Sequence, residues 1–177
     1  MTELRTERLL LRRWQESDLE PWAEMNADPE VREHLGDVMT REQSDASVAL
    51  FQQEFDARGY GWWAVEADGR FIGFAGLDDV DPEVPFTGVE IGWRLARSSW
   101  GHGYATEAAR AVLAYAFDTL DLPEILAVTT ATNYRSQAVM RRLGMTHNPT
   151  DTFEDPTAPE GPLRPQVVFR IGRQGER

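Results

Sequence analysis

A glycine-containing segment in the middle of the chain has the composition of an anion-binding turn. It reads Trp100-Gly101-His102-Gly103-Tyr104-Ala105-Thr106-Glu107 and lies between a strand-like stretch and a helix-like one. Such a turn presents several backbone N–H groups in a concave nest at a helix N-terminus, where partial positive charge favours phosphate. Glycine and alanine suit it because a larger side chain would hold a phosphate away from the amides. The sequence therefore predicts a phosphate or pyrophosphate site here, although a plain helix-capping turn has the same composition.

Two other phosphate-binding motifs do not fit this segment. A dinucleotide-binding fold needs Gly-x-Gly-x-x-Gly and an acidic residue at the end of the following strand. Here Thr106 occupies the third glycine position, and Asp121 precedes the next strand instead of ending it. A P-loop needs a lysine directly after its glycines, and none follows. The glycines alone leave the choice between a cap and a phosphate site open.

The elements around this turn follow from hydrophobic periodicity. Val89–Leu95 is typical of a strand before the turn. A helix is predicted after it, because apolar residues recur at helical spacing as far as Leu120, and Pro123 closes it. The continuous apolar run 125–130 predicts a buried strand. Asn133–Leu143 predicts a shorter helix that Gly144 ends.

The N-terminal half reads as a strand, helices and a hairpin. Charge flanks the first apolar run, 7–13, and two hydroxyl-x-x-acid/amide patterns predict capping boxes, Ser17 to Glu20 and Thr40 to Gln43. The first box should open a helix to about Asn26, and a short helix 29–35 should follow. The helix after Thr40 should bury its apolar residues, which are Val48, Leu50, Phe51 and Phe55.

The rest of the chain completes a single domain. Trp62–Glu66 and Arg70–Leu77, joined at Asp68-Gly69, predict a β-hairpin. The acidic stretches 78–85 and 150–165 are expected to be loops, and 166–171 a last strand. We expect one domain over residues 1–172 and a frayed tail over 173–177.

Composition excludes several classes of protein. The chain has no cysteine, which excludes disulfides, thiolate metal sites and a cysteine-linked acyl-enzyme. The scattered His34, His102 and His147 show no metal-ligand spacing, so no metal is expected. The formal net charge of −12 argues against nucleic-acid binding. The same charge is compatible with a cationic substrate, although an acidic soluble surface also explains it.

Two further features of the sequence bear on the cellular compartment. No apolar stretch approaches the ~18 residues of a membrane span. The N-terminus lacks the charged-then-apolar layout of a secretory signal. We therefore expect a cytoplasmic protein with no membrane partner.

Four segments in a fixed order carry a resemblance to a known family. They are Glu90-Ile91-Gly92-Trp93, Trp100 to Ala108, Asn133-Tyr134-Arg135-Ser136 and Leu143-Gly144-Met145. Together they resemble the GNAT superfamily of acetyltransferases. They are most similar to its RimJ/RimL-like branch, the ribosomal-protein N-terminal acetyltransferases, whose opening strand Thr6–Arg12 also matches. The resemblance covers nearly the whole chain.

The resemblance implies an α/β (α+β) fold with a mixed, mostly antiparallel sheet, splayed between central strands and with helices on both faces. Acetyl-CoA would lie in the splay, its pantetheine arm pairing with backbone at Ile91, Trp93 and Leu95. Its pyrophosphate would bind the turn. The residues expected there are Trp100, Gly101, His102, Gly103, Tyr104, Ala105 and Thr106. Asn133 would contact the cofactor arm, with Ser136 near the sulfur, and Asn133 is equally a helix cap.

The implied reaction is N-acetylation, by direct attack of a primary amine on acetyl-CoA in a ternary complex. Glu90 matches the family's usual general base, although a surface or salt-bridged glutamate explains it too. The amide of Trp93 is the candidate donor to the thioester carbonyl. Many members carry a tyrosine acid seven residues after the asparagine. Here Met140 takes that position, so Ser136 is the candidate for protonating the thiolate.

The acceptor is less determined. A protein α-amine has a pKa near ~8 and suits a modest base better than a lysine amine, although a pocket can depress an amine's pKa. Four tryptophans are candidates for lining the acceptor groove or for the core, namely Trp14, Trp22, Trp62 and Trp63. Five acids either hold a cationic acceptor or form solvated loops, namely Asp78, Asp79, Asp81, Glu154 and Asp155.

Three functions therefore remain open. A peptide N-terminus and a small-molecule amine are both possible acceptors for an acetyltransferase of this kind. A non-catalytic acyl-CoA-binding regulatory module is the third, favoured by the missing tyrosine and disfavoured by the presence of both Glu90 and Ser136. A homodimer would not be unusual for the family.

Overall fold

The computed structural model describes residues 3–173, and nine strands of these residues form one sheet. The strands are β1 (Leu4–Arg5), β2 (Leu9–Arg12), β3 (Trp62–Ala67), β4 (Arg70–Asp79), β5 (Val89–Leu95), β6 (Glu124–Thr130), β7 (Thr146–His147), β8 (Phe153–Glu154) and β9 (Pro165–Gly172). Their order is β1-β2-β3-β4-β5-β6-β9-β7, and β8 also pairs with β9. All pairings are antiparallel except that of β5 with β6.

The parallel pair at the centre of the sheet is splayed. Among the described residues, β5 and β6 share a single registered pair, Glu90 with Leu126. By contrast, β4 and β5 share seven pairs, and so do β6 and β9. Beyond Glu90 the two central strands therefore separate, and the edge of β5 from Ile91 onward has no strand neighbour on that side.

Helices cover both faces of the sheet. They are α1 (Leu19–Ala27), α2 (Pro29–Arg32), α3 (Arg41–Arg58), α4 (Tyr104–Asp118) and α5 (Tyr134–Arg142). The larger core lies on the α4 face, where Val112 and Ala116 pack with inward residues of the strands such as Val65 and Ile91. The smaller, aromatic core lies on the other face, where α1 and α3 cover β3 and β4. The mixed, mostly antiparallel, splayed sheet with helices on both faces is thus confirmed.

Local sequence signals account for most of these elements. Thr40 caps α3 by accepting from the backbone N–H of Gln43, whose side chain returns to the Thr40 N–H, as the second capping box predicts. The turn between β3 and β4 contains Asp68 at φ 50° and Gly69 at φ 72°, as a type I′ hairpin requires. Gly144 at φ 83° follows α5.

The predicted position of the first capping box is wrong by two residues. Asp18, not Ser17 or Glu20, holds the turn, because its carboxylate accepts from the Gln15 N–H at 2.8 Å. The same carboxylate binds the guanidinium of Arg12 at 2.7 and 2.9 Å, and this ion pair is buried. A short 3-10 turn, Glu16–Asp18, therefore precedes α1.

Two further differences follow from packing and strand pairing. Leu50 is 51% exposed, because Val48, Phe51 and Phe55 form the inward stripe of α3 and Leu50 points away from it. The predicted loop 150–165 contains the short strand β8, which adds to β9. Of the expected tail 173–177, the backbone of Arg173 donates to Pro123 O, and residues 174–177 lie outside the described range.

Candidate active site

An open groove of about 1500 Å³ begins where β5 and β6 separate. Most of the residues predicted as a site lie along it, and Glu90 and Ser136 line it together. The predicted cofactor-binding residues along the groove are Ile91, Trp93, Leu95, Trp100, Gly101, Gly103, Tyr104, Ala105, Thr106 and Asn133. His102 is the exception, because its ring stacks on Tyr104 with a centroid distance of 5.4 Å and does not line the groove.

The turn before α4 presents a row of unpaired amides. Within residues 3–173, the N–H groups of positions 101–106 have no hydrogen-bond acceptor, and the first paired amide is that of Glu107. Gly101 and Gly103 have φ of 78° and 81°, which directs successive amides to one side. A Cβ on Gly101 would meet no protein atom within 4 Å. The turn therefore has both the donors and the space for a pyrophosphate.

Arg8 ties this turn to the beginning of β2. Its guanidinium donates to the carbonyl of His102 at 3.0 Å, pairs with Glu107 and lies 4.7 Å from the ring centre of Tyr104. The carboxylate of Glu107 also accepts from the hydroxyl of Thr6 at 2.6 Å. Because these contacts join segments a hundred residues apart, the turn is held rigid before a ligand binds.

The free edge of β5 supplies backbone groups along the groove. The carbonyl of Leu95 accepts from the indole N–H of Trp100 at 2.9 Å, which ties the end of β5 to the turn before α4. Alternate residues of a strand direct their N–H and C=O groups to the same side. The backbone of Ile91 and Trp93 therefore faces away from β4, toward the opening beside β6.

Asn133 is fully occupied within the protein. Its side-chain oxygen accepts from the N–H of Ser136 at 3.1 Å, as a helix cap does. Its Nδ2 donates to Thr129 Oγ1 at 2.9 Å and to Ser136 Oγ at 3.1 Å. Because the Ser136 oxygen accepts from Asn133, the hydroxyl hydrogen of Ser136 is free to be donated into the groove.

The methionine in the usual tyrosine position is part of the core. Met140 is 2% exposed and lines the groove with a thioether that has no proton to donate. Tyr134 lies at the other end of α5 and is 71% exposed. Tyr134 and Ser136 both line the groove, and Ser136 is the hydroxyl that is hydrogen-bonded to Asn133.

Glu90 is a partly buried carboxylate with no partner. It forms no hydrogen bond or ion pair within residues 3–173, although it pairs in register with Asp78 across β4 and β5. Burial raises the pKa of Glu90 to about 7, and the negative charges of Asp78 and Asp81 add to this effect. Asp78 is itself paired with Arg58 at 2.7 Å. A carboxylate that titrates near pH 7 is suited to accept a proton at neutral pH.

The same face of β5 continues from Glu90 through Gly92 to Arg94. A Cβ on Gly92 would lie 3.0 Å from the indole of Trp62, so only glycine lets that ring lie against the strand. Arg94 packs over Trp22 and Phe74, with its guanidinium carbon 5.1 and 5.3 Å from the ring centres. The side chains of Glu90 and Arg94 therefore lie on one face of β5, and those of Ile91 and Leu95 lie on the other face, toward α4.

The tryptophans and acids proposed for acceptor binding divide between the core and the surface. Trp14, Trp22 and Trp63 are buried, and only Trp62 of these four lines the groove. None of these five acids lines it: Asp78 and Asp79 lie at the end of β4, not in the predicted loop 78–85, and pair with Arg58, and Asp155 accepts from Thr157.

Sequence reasoning missed the groove's cations. Arg8, Arg94, Arg110, Arg135 and Arg142 all line it. Arg135 lies over the ring of Trp100 at 4.4 Å. Helical spacing offered one signal, because Arg110 follows the turn by two helical turns on α4. For Arg94 the sequence signal was its position four residues after Glu90, which places both side chains on the same face of the predicted strand.

The fold agrees with the comparisons with known proteins. Residues 8–146 match the family model of the acetyltransferase (GNAT) domain. Over 158 residues the chain is 32% identical to the FsC-acetyl coenzyme A-N(2)-transacetylase of Aspergillus fumigatus, covering 85% of this chain and 67% of that one. The protein belongs to the GNAT acetyltransferase family and is an acyl-CoA-dependent acetyltransferase.

Solved structures share the fold over nearly the whole chain. An acetyltransferase from Agrobacterium tumefaciens has a TM-score of 0.79 at 28% identity, covering 98% of this chain and 95% of that one. The ribosomal L7/L12 α-N-protein acetyltransferase RimL, in complex with coenzyme A, has a TM-score of 0.79 at 16% identity, with coverage of 97% and 98%. The RimJ/RimL-like resemblance fits this likeness in fold.

Proposed function

We propose that the protein transfers an acetyl group from acetyl-CoA to a primary amine by direct attack in a ternary complex. The observation that carries the proposal is the row of unpaired amides at 101–106, which opens into the same groove as Glu90 and Ser136. An anion cradle alone indicates phosphate binding. An unpaired base and a free hydroxyl beside it indicate chemistry at the other end of the bound molecule.

In this proposal, different groups of the predicted residues bind different parts of the cofactor. Gly101 to Thr106 hold the pyrophosphate, and the backbone of Ile91 and Trp93 holds the pantetheine arm. Arg110 and Arg142 line the same half of the groove and add positive charge for the phosphates. Acetyl-CoA, when bound, supplies the thioester that is cleaved.

The proton transfers follow from where the side chains lie. Glu90 accepts a proton from the acceptor amine, whose nitrogen forms the new C–N bond as the C–S bond breaks. The N–H of Trp93 donates to the carbonyl oxygen as negative charge develops there. Ser136 donates its hydroxyl proton to the departing sulfur. One proton leaves the amine and one reaches the thiol, so the reaction is balanced through Glu90, Ser136 and solvent.

The acceptor is an amine with a low pKa, because Glu90 titrates near pH 7 and is a weak base. Peptide N-termini and small-molecule amines both belong to this class. The relative from Aspergillus fumigatus is named as acting at an N(2) nitrogen, which supports an amine acceptor. The cytoplasm is the compartment that we expect for a protein of this composition.

Calorimetry with acetyl-CoA, followed by a thiol-reactive dye in the presence of amines and peptides, tests the proposal. The chain has no cysteine, so every thiol that the dye detects comes from released CoA. We expect saturable binding and acceptor-dependent release. Binding without release from any amine would instead support a regulatory acyl-CoA-binding module, and no binding would refute the cradle.

A further inference from the structure

Arg94 presents an unsatisfied guanidinium edge beside the groove. Its Nη1 donates to Asn26 Oδ1 at 2.9 Å, whereas its Nε is buried and has no partner. No ion pair forms between Arg94 and a carboxylate within residues 3–173. Among the described residues Nη2 also has no hydrogen-bond partner and, unlike Nε, is not fully buried, so a carboxylate in the groove can reach it.

The surroundings of Arg94 hold this edge in place without neutralising it. The guanidinium lies against Trp22 and Phe74, and Asn26 fixes one end. Burial and, to a smaller extent, the nearby charge of Arg32 lower the pKa of Arg94 to about 9, yet the group remains protonated at neutral pH. A buried cation with no counter-charge is unfavourable unless an anion completes the site.

The cofactor does not supply that anion in the arrangement proposed above. The amides that would bind its pyrophosphate lie at the N-terminus of α4, on the face toward which Ile91 and Leu95 point. Arg94 alternates with these residues and points to the opposite face, against the aromatic core of α1 and α3. An anion that pairs with Arg94 would therefore be part of the acceptor.

Glu90, Trp62 and Arg94 form a continuous surface for such an acceptor. Glu90 and Arg94 are four residues apart on one face of β5, about 13 Å between their Cα atoms. The Trp62 indole lies on Gly92, between them. Val31 and Leu35 line the groove in the same half.

We propose, on the basis of the acetyltransferase function inferred above, that the acceptor is a primary amine that also carries a carboxylate. The carboxylate binds the Nη2 of Arg94, the middle of the molecule packs on Trp62, and the amine reaches Glu90. Short peptides with a free C-terminus and amino acids with a long or aromatic spacer have this arrangement. Arg94 thus determines acceptor specificity.

The test compares acids with their matched amides. Glycyl-phenylalanine and glycyl-glycyl-phenylalanine, each as free acid and C-terminal amide, are assayed for CoA release. For the best acid, we expect kcat/KM to be about 10- to 100-fold higher than for its amide, because a charge-assisted hydrogen bond is lost. In Arg94→Gln this ratio falls to within about twofold of one.

Arg97→Gln is the matched control, because Arg97 pairs with Asp28 and Glu30 at the surface and its loss changes the net charge equally. That variant retains the preference for acids. If Arg94→Gln fails to fold, Arg94→Lys keeps the charge without the guanidinium and reduces the ratio instead. Equal kcat/KM for acid and amide in the wild type overturns the inference in every case.

A binding measurement separates this inference from the proposed function. The same acids and amides are titrated into the CoA-bound protein and followed by tryptophan fluorescence. Preferential binding of acids without CoA release supports the carboxylate site at Arg94 and refutes the transferase function. CoA release from amides and acids alike, with equal affinities, does the reverse.

Discussion

Glu90 is a strand carboxylate whose ionisation is controlled by its surroundings. Burial is the largest influence, and Asp78 and Asp81 act in the same direction. The charge of Asp78 is partly offset by Arg58, with which it pairs. Because the pKa of Glu90 is raised to about 7, its carboxyl group gains or loses a proton near neutral pH, and only the ionised form can act as a base.

A pH profile follows from this value. We expect wild-type kcat/KM to fall about tenfold per unit below pH 7, because Glu90 must be deprotonated to act as base. Glu90→Gln should lower the rate at pH 8 by about 100-fold or more and remove this limb. Asp78→Asn, the control, should move the limb to lower pH and keep the plateau. A Glu90→Gln profile identical to the wild type would remove Glu90 from the mechanism.

The stability of Glu90→Gln provides a second check. A raised pKa means that the folded state holds its proton more tightly, so ionisation destabilises the folded state as the pH rises from the ordinary glutamate pKa of 4.5 to about 7. The variant should match the wild type in acid and exceed it above pH 7, by about 1–3 kcal/mol after allowance for partial exposure. Urea denaturation at pH 4.5 and pH 8 measures this difference.

Ser136 is oriented by Asn133, which leaves its proton available. We expect Ser136→Ala to lower kcat by about 100-fold, because the thiolate then leaves unprotonated, with acetyl-CoA affinity unchanged by calorimetry. Ser98→Ala, at an exposed position, is the control and should be silent. An unchanged kcat in Ser136→Ala would exclude the serine as the acid.

At the scale of elements, the site depends on how strands and helices end. The parallel pair β5 and β6 meets at Glu90 and separates beyond it, which opens the groove. The amides at the N-terminus of α4 are unpaired because a helix cannot satisfy its first N–H groups internally. Arg8 and Glu107 then fix that terminus against β2.

The left-handed glycines permit a matched comparison. Gly101 has φ 78° and Gly59 has φ 79°, and a Cβ on either would meet no protein atom within 4 Å. Alanine at either position should cost about 1–2 kcal/mol of stability through backbone strain. Only Gly101→Ala should weaken acetyl-CoA binding, by about tenfold or more, because its methyl group occupies the space of the pyrophosphate. Equal affinities in the two variants, measured by calorimetry, would contradict the proposed phosphate site.

At the scale of the whole molecule, charge is distributed unevenly. The chain has a net charge of −12, yet Arg8, Arg110, Arg135 and Arg142 line the groove. Five glutamates, namely Glu7, Glu30, Glu33, Glu90 and Glu107, line the same groove, so the groove is nearly balanced in charge and less acidic than the molecule as a whole. In the described residues, no helix is long and apolar enough to span a membrane.

Cofactor binding should stabilise the entire domain. The groove contacts β5, α4 and α5, so a ligand in it binds only the folded state. At one hundred times the dissociation constant, acetyl-CoA should contribute about 2.7 kcal/mol. For a domain of this size that raises Tm by about 5–10 °C. Scanning calorimetry with and without acetyl-CoA measures the shift, and an unchanged Tm at saturation would argue against binding in this groove.

The parts of the fold that sequence predicted correctly depend on local signals. The β3–β4 hairpin follows from Asp68-Gly69, and α3 begins at the box that starts with Thr40. The first box was misplaced because Asp18 is drawn to Arg12, which is near in space through a buried ion pair that no local pattern shows. Leu50 was misassigned for a similar reason, since burial depends on which side of α3 meets the sheet.

The sequence by itself determined the family and predicted the turn before α4, because the glycines, the helix start and the four motif segments are each contiguous. Only the tertiary structure revealed the surface on the other side of the groove. Residues 62, 90 and 94 become one surface only when β3, β4 and β5 pair, and Trp62 reaches Gly92 across two strand spacings. The unsatisfied guanidinium edge of Arg94 and the raised pKa of Glu90 both arise from burial. Burial is a property of the packed molecule and not of any one segment, so neither feature was visible in the sequence.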